Sequence, residues 1–457
     1  MAAETLEALR VATIGSHKSG DLEAALKGYR RYLQEKPKDA AMWANLGALY
    51  RATGCYELGR IVQKRAYGIA PNHRIVLSNY ANISSDLGDY ETSIRLRKLY
   101  LQHCPADRAT HHAMIGRCYR GLGQYRKAIN YLTPKVAEFP DEPEIKLQLA
   151  FAQFGAGDYG AAFRTNDARW EAGEIRLTKT PFKTWEDGDP IAGKTILVTP
   201  EQGFGDMVLM CRFIPLIAQK GAKVHLVAKK PLRRLLEGID GVDWLGEAAR
   251  PSHPVDYRVS LMDLPKLVFD LDDRGHAPGP ASLNIPEDSA ARAKATTARH
   301  NTMFKVGVVW SGSTTYRGNT FRSFSHRMFL PLAELPNVQL FSLYKGPLLE
   351  AFETDGSSAI IIDTASTDRD FADCAATMKE MDLIITSDTA TAHIAGSLGL
   401  PTWVVLHWDA FWVYRHAGET TEWYPSMRLF RQPAPQDWDS AFEAVRSALE
   451  EKVSAHG

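Results

Sequence analysis

The residues around position 388 have the types and spacing of an anion-binding site. The apolar run 383–385 predicts a buried strand, and Asp388 and Thr389, which follow it, are both favourable helix N-caps. The small residues that begin at Ala390 predict a short helix. A strand that leads through a capped turn into a helix directs free backbone N–H groups and the positive end of the helix dipole at one point, where an anion can bind.

His393 lies one turn after Thr389 on this predicted helix and therefore faces the same side. Its imidazole could contact a bound phosphate or sugar. It could equally pack behind the site as support, and the sequence leaves both interpretations open.

A second polar junction follows the predicted strand 195–199. It reads Glu-Gln-Gly-Phe-Gly-Asp and contains Gln202, Gly203, Gly205 and Asp206. The glycines allow a tight turn and the close approach of a ligand. The junction is not a dinucleotide-binding fingerprint, because Val208 stands where the third glycine would be. Asp206 is a candidate general base, although an aspartate at this position can also simply cap its helix.

Basic residues follow two predicted strands further along the chain. Gly312 lies in a Trp-Ser-Gly-Ser turn, the loop after it carries Arg317 and Arg322, and Lys345 follows the next strand. Each guanidinium can hold two anionic oxygens, so the loop suits phosphate recognition. Taken singly, these side chains can also be solvated surface cations, and that is the simpler interpretation of Lys345.

Residues 1–175 repeat with a period near 34. Glycines recur at steps of 34 or 35 residues, at Gly20, Gly54, Gly88, Gly123 and Gly157. A small residue stands five positions after each of them, and a proline stands seventeen positions after the first four. This pattern predicts about five stacked helical hairpins and resembles the tetratricopeptide repeat.

Asn45 and Asn79 occupy the same position on the first helix of neighbouring repeats. An amide can both donate to and accept from an extended peptide backbone. The protein O-GlcNAc transferases carry a similar asparagine row, and this resemblance implies that the two side chains bind peptide. Two asparagines that match by chance would instead be ordinary solvated residues.

Strands alternate with helices from residue 176 onwards. The alternation predicts parallel sheets covered by helices in two successive units, 176–303 and 304–457, the second of which ends in an amphipathic helix. Two such units form a cleft that binds ligands at the carboxyl ends of the strands. The polar junctions lie at those ends.

The composition argues against several classes of protein. The 457 residues carry a formal net charge of zero, which gives nucleic-acid binding no electrostatic support. The five cysteines are dispersed without a CxxC pair, which argues for a reducing compartment and against a zinc site. The chain begins without a signal-peptide pattern and has no run of 18 apolar residues. We therefore expect a cytoplasmic protein without a membrane span, a metal or a cofactor.

The stretch 195–432 resembles the heptosyltransferase-related glycosyltransferases of GT-B fold, in the branch that carries an N-terminal tetratricopeptide array. The matching stretches include PEQGFGDMVLM, VGVVWSGS followed by FRSF, and DLIITSDTATAHIAG. Ser313 and Thr314 depart from the Asn-Pro that is usual in this branch after Trp-x-Gly, and Arg317 stands where it often has lysine.

The resemblance implies roles for the candidate residues. Asp206 matches the proposed general base. Asp388, Thr389, Ala390 and His393 match the element that holds the phosphates of the nucleotide-sugar donor, and Arg322 matches a basic residue of the donor loop. A base together with a phosphate-binding element suits sugar transfer. A carboxylate must take the proton of the acceptor, and positive charge must stabilise the leaving phosphate.

The layout implies an inverting, metal-independent transferase that uses a nucleotide-sugar donor. Its acceptor would be a protein, of flagellin type in proteins of this layout, that the repeat array recruits. Two alternatives stay open: a repeat scaffold without turnover, and a transferase that acts on a lipid-linked or polysaccharide acceptor.

Overall fold

The computed structural model describes residues 5–104, 107–173, 175, 181–186, 188–248, 254–266, 269, 277–316 and 318–455. The chain divides into two compact units, residues 1–153 and residues 154–457. The first is helical, and the second contains two parallel sheets. The predicted order of a helical repeat followed by an α/β region is therefore confirmed.

Helical hairpins make up the first unit. Its helices are α1 Leu6–Ser19, α2 Leu22–Glu35, α3 Ala40–Ala52, α4 Tyr56–Ile69, α5 Arg74–Asp86, α6 Tyr90–His103, α7 Arg108–Gly121, α8 Tyr125–Glu138 and α9 Pro143–Ala156, the last of which crosses into the second unit. Gly20, Gly54, Gly88 and Gly123 lie between the paired helices and have φ angles between 69° and 84°. Only glycine adopts this left-handed conformation without strain, which explains why glycine recurs at each turn.

The small residue that follows each turn lies where helices touch. Ala25 and Ala128 are fully buried. At Gly59, an added Cβ would lie 2.3 Å from Cδ1 of Ile83 on α5. Neighbouring hairpins can therefore approach one another only because this position stays small.

Two short helices, α10 Tyr159–Thr165 and α11 Ala168–Glu171, open the second unit. The repeat spacing continues through them, but the division after residue 153 places them with the α/β region. The Tyr159 hydroxyl lies 2.5 Å from Oε1 of Glu422 and accepts a 3.0 Å bond from Nε1 of Trp423. The Phe163 ring packs edge-on against Trp412, with centroids 6.0 Å apart. Aromatic packing of this kind fixes α10 to the rest of the second unit.

The two sheets of the second unit are parallel throughout their paired strands. The first has the order β3-β2-β1-β4 and consists of β1 Thr195–Thr199, β2 Lys223–Val227, β3 Trp244–Gly246 and β4 Tyr257–Ser260. The second has the order β10-β9-β8-β5-β6-β7 and consists of β5 Phe304–Val309, β6 Val338–Ser342, β7 Ile362–Asp363, β8 Leu383–Ser387, β9 Thr402–Leu406 and β10 Met427–Arg431. Strand β10 lies at one edge of the second sheet.

The helices of the α/β region connect these strands. They are α12 Phe204–Met210, α13 Ile214–Gln219, α14 Arg233–Leu236, α15 Glu287–Thr297, α16 Asn319–Arg322, α17 Leu349–Thr354, α18 Phe371–Lys379, α19 Ala390–Ser397 and α20 Trp438–Ser454. A 3₁₀ turn, Cys211–Phe213, separates α12 from α13. The segment His326–Glu334 forms a 3₁₀ helix that contains Pro331, a residue without the N–H of a regular α-helical bond.

Interior strands position the polar junctions. Strand β1 lies between β2 and β4, and β8 lies between β5 and β9. Helix α12 follows β1, and α19 follows β8. The N-termini of both helices therefore lie at the carboxyl edges of their sheets, where parallel folds bind ligands.

Candidate functional site

A cavity of about 550 Å³ lies at the carboxyl ends of strands from both sheets. Ten of the residues that the sequence singles out line it: Gly203, Gly205, Asp206, Gly312, Arg322, Lys345, Asp388, Thr389, Ala390 and His393. The first three come from the N-terminal half of the α/β region and the others from its C-terminal half. The fold thus brings residues that are up to 190 positions apart to one site.

Two other predicted residues, Gln202 and Arg317, are not among these lining residues. Gln202 is absent from the lining; its Nε2 donates to Oε1 of Glu201 at 3.3 Å, and its carbonyl accepts from Nζ of Lys229. It therefore supports the loop behind the cavity. Arg317 lies outside the described residues.

Asp206 both caps a helix and lines the cavity. Its Oδ2 accepts a 3.0 Å hydrogen bond from the backbone N–H of Gly203, which closes the N-terminus of α12. Burial raises the pKa of this carboxyl above its ordinary value, although the Gly203 N–H and the charge of Arg322 act in the opposite direction. A carboxylate with a raised pKa is a stronger base than an exposed aspartate.

The loop before Asp206 is anchored from behind. Glu201, whose side chain is 2% exposed, accepts a 2.8 Å bond from Nε of Arg169 on α11. The same guanidinium donates from Nη2 to Oδ1 of Asp263 at 2.6 Å. Arg169 therefore neutralises a buried carboxylate next to the Gly-Phe-Gly-Asp junction.

Gly205 allows helices α12 and α19 to meet. An added Cβ would lie 2.8 Å from Cδ2 of His393 and 3.3 Å from Cα of Ala390. Such distances are shorter than van der Waals contact, so a side chain here would push the helices apart. The close approach places Asp206 beside the N-terminus of α19.

The N-terminus of α19 is open towards the cavity. Oγ1 of its N-cap, Thr389, lies 3.3 Å from Oγ1 of Thr386 and, within the part of the chain that the structure describes, caps no N–H of the helix. The N–H groups of Ala390 and Thr391 have no partner within a regular helix. Both residues line the cavity, so a bound anion can accept from them.

Arg322 supplies positive charge to the same cavity. Its Nη1 lies 3.9 Å from Oδ2 of Asp388, and its guanidinium lies over the Tyr316 ring at 4.8 Å. Among the described residues, its Nε is buried and has no hydrogen-bond partner. A buried donor without a partner costs free energy, which a ligand with an acceptor oxygen can recover.

Asp388 and His393 are both buried, with 4% of each residue exposed. Burial and the nearby Asp206 raise the pKa of Asp388 to about 6, against the effect of Arg322. Burial and the charges of Arg212 and Arg322 lower the pKa of His393 to about 3. The imidazole is therefore neutral at physiological pH and acts as a hydrogen-bonding group, with Nδ1 3.0 Å from the Tyr424 hydroxyl.

Asn319, which the sequence analysis missed, shapes the loop that follows β5. Its Oδ1 accepts from the Gly312 N–H at 3.2 Å, and its Nδ2 donates to Oγ of Ser311 at 3.0 Å. A Cβ on Gly312 would lie 3.0 Å from Nη2 of Arg322. The turn thus leaves room for the Arg322 guanidinium.

Asp368 is a second cavity residue that the sequence analysis missed. Burial raises its pKa to about 7, although Arg292 and Lys345 oppose the shift. Its backbone carbonyl accepts from Nζ of Lys345, so this lysine is tied to the cavity wall. Asp368 follows β7, a strand of two residues, which is too short to be recognised as a polar strand end in the sequence.

Asn45 and Asn79 are half-buried on the first helices of their hairpins. Nδ2 of Asn79 donates to the Ala44 carbonyl at 3.1 Å, and Nε2 of Gln63 donates to the same oxygen at 2.7 Å. Asn79 therefore links α5 to α3, and one of its amide N–H donors is already bonded within the array.

Among the described residues, no group of three or more His, Cys, Asp or Glu side chains is arranged to hold a metal ion. No helix in the described ranges has both the length and the apolar character to cross a membrane.

Comparison with known proteins identifies the repeat. The tetratricopeptide repeat family matches residues 112–133. Solved structures with similarity include MamA from Desulfovibrio magneticus RS-1, at 18% identity and a TM-score of 0.34, covering 37% of this chain and 95% of that one. A tetratricopeptide repeat protein from Parabacteroides merdae is 20% identical, with a TM-score of 0.33, and covers 37% of this chain and 67% of that one.

A longer similarity covers both units. Protein FlbA of Caulobacter vibrioides is 25% identical over 466 residues, which cover 93% of this chain and 75% of that protein. The family match and the hairpins together support a tetratricopeptide-type repeat array in the first unit.

Proposed function

We propose that the second unit is a glycosyltransferase of GT-B type that transfers a sugar from a nucleotide-activated donor to a protein held by the repeat array. One observation carries the proposal: a carboxylate of raised pKa, Asp206, shares a cavity with Arg322 and an uncapped helix N-terminus. A base and an anion site in one cavity are what sugar transfer from a diphosphate requires.

Asp206 is the general base in this proposal. It takes the proton of an acceptor hydroxyl while the hydroxyl oxygen attacks the anomeric carbon of the sugar. A bond forms between that oxygen and the anomeric carbon, and the bond from the carbon to the donor phosphate breaks. The nucleoside diphosphate leaves with the bonding electrons, and a single displacement inverts the anomeric centre.

Arg322 and the first N–H groups of α19 bind the leaving diphosphate. Negative charge grows on the phosphate oxygen as the sugar departs, and donors that are already in place stabilise it without reorganisation. His393 adds a neutral donor: when Tyr424 donates to Nδ1, the imidazole proton is on Nε2 and is available to a ligand. These groups supply the positive potential that the step needs.

The repeat array provides the acceptor in this proposal. Tetratricopeptide arrays bind protein segments, which supports a protein acceptor over a lipid-linked or polysaccharide one. The flagellin-type acceptor that the sequence resemblance implies is part of the proposal. A scaffold without turnover is the competing function, since Asp206 already has a structural role as a cap.

The first test is nucleotide binding to the full chain. UDP, ADP, GDP, TDP and CMP are compared by thermal shift on the wild type, on Arg322→Ala and on Arg327→Ala. Arg327 is a matched control because its side chain is 66% exposed and paired with Asp355, away from the cavity lining. We expect one nucleotide to add roughly 2.7 kcal/mol of stability at a hundred times its Kd, and only Arg322→Ala to lose this gain.

Turnover is then measured with sugar nucleotides of the base that binds, by intact-mass spectrometry of candidate acceptor proteins. A mass increase of one sugar supports the transferase. Nucleotide binding without any release of sugar, to protein or to water, favours the scaffold. Equal transfer to an intact protein by the full chain and by residues 154–457 would contradict recruitment by the array.

A further inference from the structure

The cavity extends along the carboxyl edge of the second sheet from β8 to β7. The sheet runs in the order β8-β5-β6-β7 over this part, and each strand is followed by a cavity-lining residue: Thr389, Gly312, Lys345 and Asp368, respectively. Neighbouring strands lie about 4.8 Å apart, so this edge is roughly 14 Å long. An elongated molecule bound at the N-terminus of α19 can therefore reach Asp368.

The direction of a nucleotide-sugar along this edge rests on the proposed function. Asp206, the general base, lies beside the N-terminus of α19, so the sugar and the phosphates bind at the β8 end. The cavity lining continues with residues that follow β6 and β7. On the opposite side of β8, the described residues after β9 contribute Phe411 to the lining. The nucleoside therefore extends towards β7.

Apolar side chains line the end of the cavity that follows β6 and β7. They are Leu343, Pro347, Ala365, Phe371 and Cys374. Ligand sites typically bury a ring against such side chains and orient it with a few polar groups. This end of the cavity therefore suits a nucleobase, and the polar groups beside it decide which base fits.

Two of the charged side chains at this end of the cavity are engaged within the protein. Oδ1 of Asp370 accepts from the Ala372 N–H at 3.0 Å and caps α18. Arg369 binds both oxygens of Asp373, at 2.8 Å from Nε and at 2.7 Å from Nη2. Both side chains therefore have structural roles.

Asp368 differs, because its carboxyl group accepts no hydrogen bond within the part of the chain that the structure describes. The residue is 7% exposed. Its ion-pair partner, Arg292, has Nη2 3.7 Å from Oδ1, and the same guanidinium donates from Nη1 to Asp373 at 3.0 Å. A buried carboxyl without hydrogen bonds costs free energy, which a ligand with N–H donors can recover.

A carboxyl group distinguishes nucleobases by their hydrogen-bonding edges. An ionised carboxylate accepts from the ring N–H and the amino group of guanine. A protonated carboxyl accepts from the amino group of cytosine or adenine and donates to the adjacent ring nitrogen. Burial raises the pKa of Asp368 to about 7, so both forms are available near neutral pH. Uracil and thymine flank their ring N–H with two carbonyl oxygens, which repel a carboxylate.

We propose that Asp368 binds the base of the donor nucleotide and selects a base that carries an amino group, namely cytosine, adenine or guanine, over uracil and thymine. These three bases share an amino donor next to a ring nitrogen, and the carboxyl group complements this edge in either protonation state. Asp368 is then a specificity-determining residue that contacts the donor and takes no part in the transfer step.

The first test compares nucleotides that differ in the amino group alone, by titration calorimetry on the wild-type full chain. The pairs are the mono- and diphosphates of cytidine and zebularine, of adenosine and nebularine, and of guanosine and inosine. The uridine and thymidine nucleotides complete the panel. Because the series needs only the wild type, it decides the question even if a variant fails to fold.

We expect the tightest ligand to be an amino-bearing nucleotide. Its affinity should fall at least about tenfold when the amino group is removed, and it should bind at least about tenfold more tightly than UDP and TDP. Tightest binding by a uridine or thymidine nucleotide would overturn the proposal. Equal affinity of the tightest ligand and its analogue without the amino group would do so as well.

Asp368→Asn tests the residue itself. Its amide presents one donor and one acceptor, which also match uracil, so the preference for the amino-bearing nucleotide over UDP should fall at least about fivefold. Asp439→Asn makes the same change at an exposed residue outside the cavity lining and should leave the preference unaltered. An unchanged preference in Asp368→Asn would show that another group selects the base.

Failure of base selection and failure of the proposed function give different results. Binding of UDP or TDP that is lost in Arg322→Ala would keep the donor site and overturn only the base selection. If no nucleotide of the panel binds, the donor site itself is overturned, and the role of Asp368 is overturned with it.

Discussion

Helices α12 and α19 both begin at the carboxyl end of an interior strand, yet their N-termini are completed differently. The first is closed by its own Asp206, whose Oδ2 accepts from the Gly203 N–H at 3.0 Å. The second has Thr389 at its N-cap, and this side chain bonds towards Thr386. Within the described residues, one helix therefore holds an acid in place and the other presents N–H groups to the cavity.

This difference assigns opposite chemistry to two similar junctions. A carboxylate that is fixed by a backbone N–H keeps its position and still has a second oxygen for a proton. An uncapped helix start is suited to an anion. Because Gly205 has no side chain, the N-termini of α12 and α19 lie close enough together for both to contact one bound molecule.

The largest effect is expected from Asp206→Asn. The amide oxygen can still accept from Gly203, so the helix cap remains while the base is lost. The transfer rate should fall about 10²–10⁴-fold, with nucleotide affinity unchanged within about threefold. Single-turnover rates and nucleotide titrations check this. A variant that keeps more than a tenth of the wild-type rate would remove Asp206 from the proposed chemistry.

Gly205→Ala should separate the two helix starts. The new Cβ would lie closer to His393 and Ala390 than van der Waals contact allows, so α12 and α19 would have to move apart. A shift of catalytic groups by about 1 Å can lower the transfer rate about a hundredfold. Gly279→Ala is the matched control, since an added Cβ there meets no atom within 4 Å. Equal rates for the two variants would show that close approach of α12 and α19 is unnecessary.

Asp368 provides a carboxyl in the same cavity that caps neither helix. Its folded pKa of about 7 exceeds an unfolded value near 3.9, so its contribution to stability is present below pH 3.9 and lost as pH rises through 7. When the pH is raised from 5 to 8, the free energy of unfolding of Asp368→Asn should therefore increase by about 1–3 kcal/mol relative to that of the wild type. Urea unfolding at both pH values measures this gain. The exposed Asp439→Asn serves as the control, and a gain of the same size there would refute the assignment.

Ala390→Pro tests the open helix start alone. Proline suits the first position of a helix, and Thr389, with φ −144° and ψ 176°, has a backbone that a following proline tolerates. The change removes one N–H, so nucleotide affinity should fall about tenfold with little change in melting temperature. Ala390→Ser keeps the N–H and should bind normally. Unaltered binding by the proline variant would mean that this N–H does not contact the donor.

The sequence analysis predicted the site residues that lie in strand–turn–helix patterns. It missed site residues whose role depends on where the folded chain buries them. Asp206, Gly205 and the stretch from Asp388 to His393 follow strands and open helices, and such junctions are visible as apolar runs before polar turns. Asn319 and Asp368 were missed, because an amide that opens a four-residue helix and an acid after a two-residue strand give no periodic signal.

The boundary between the units was also obscured by periodicity. The glycine spacing continues to Gly157, so residues up to 175 read as a further repeat, although the compact division falls after residue 153. Aromatic packing attaches α10 to the α/β region, since Tyr159 and Phe163 contact Trp423 and Trp412. Periodicity cannot reveal which partner a helix will pack against.

The attachment of α11 to the Gly-Phe-Gly-Asp loop has a consequence for exchanging parts between related proteins. Arg169 is the cation for Glu201, so a chimera joined after residue 175 would bring a foreign helix to a carboxylate that needs this guanidinium. A junction before Phe154 keeps the pair together. Recombination that changes the array while preserving the cleft is therefore confined to breakpoints upstream of α10, and α10 and α11 should be inherited with the cleft.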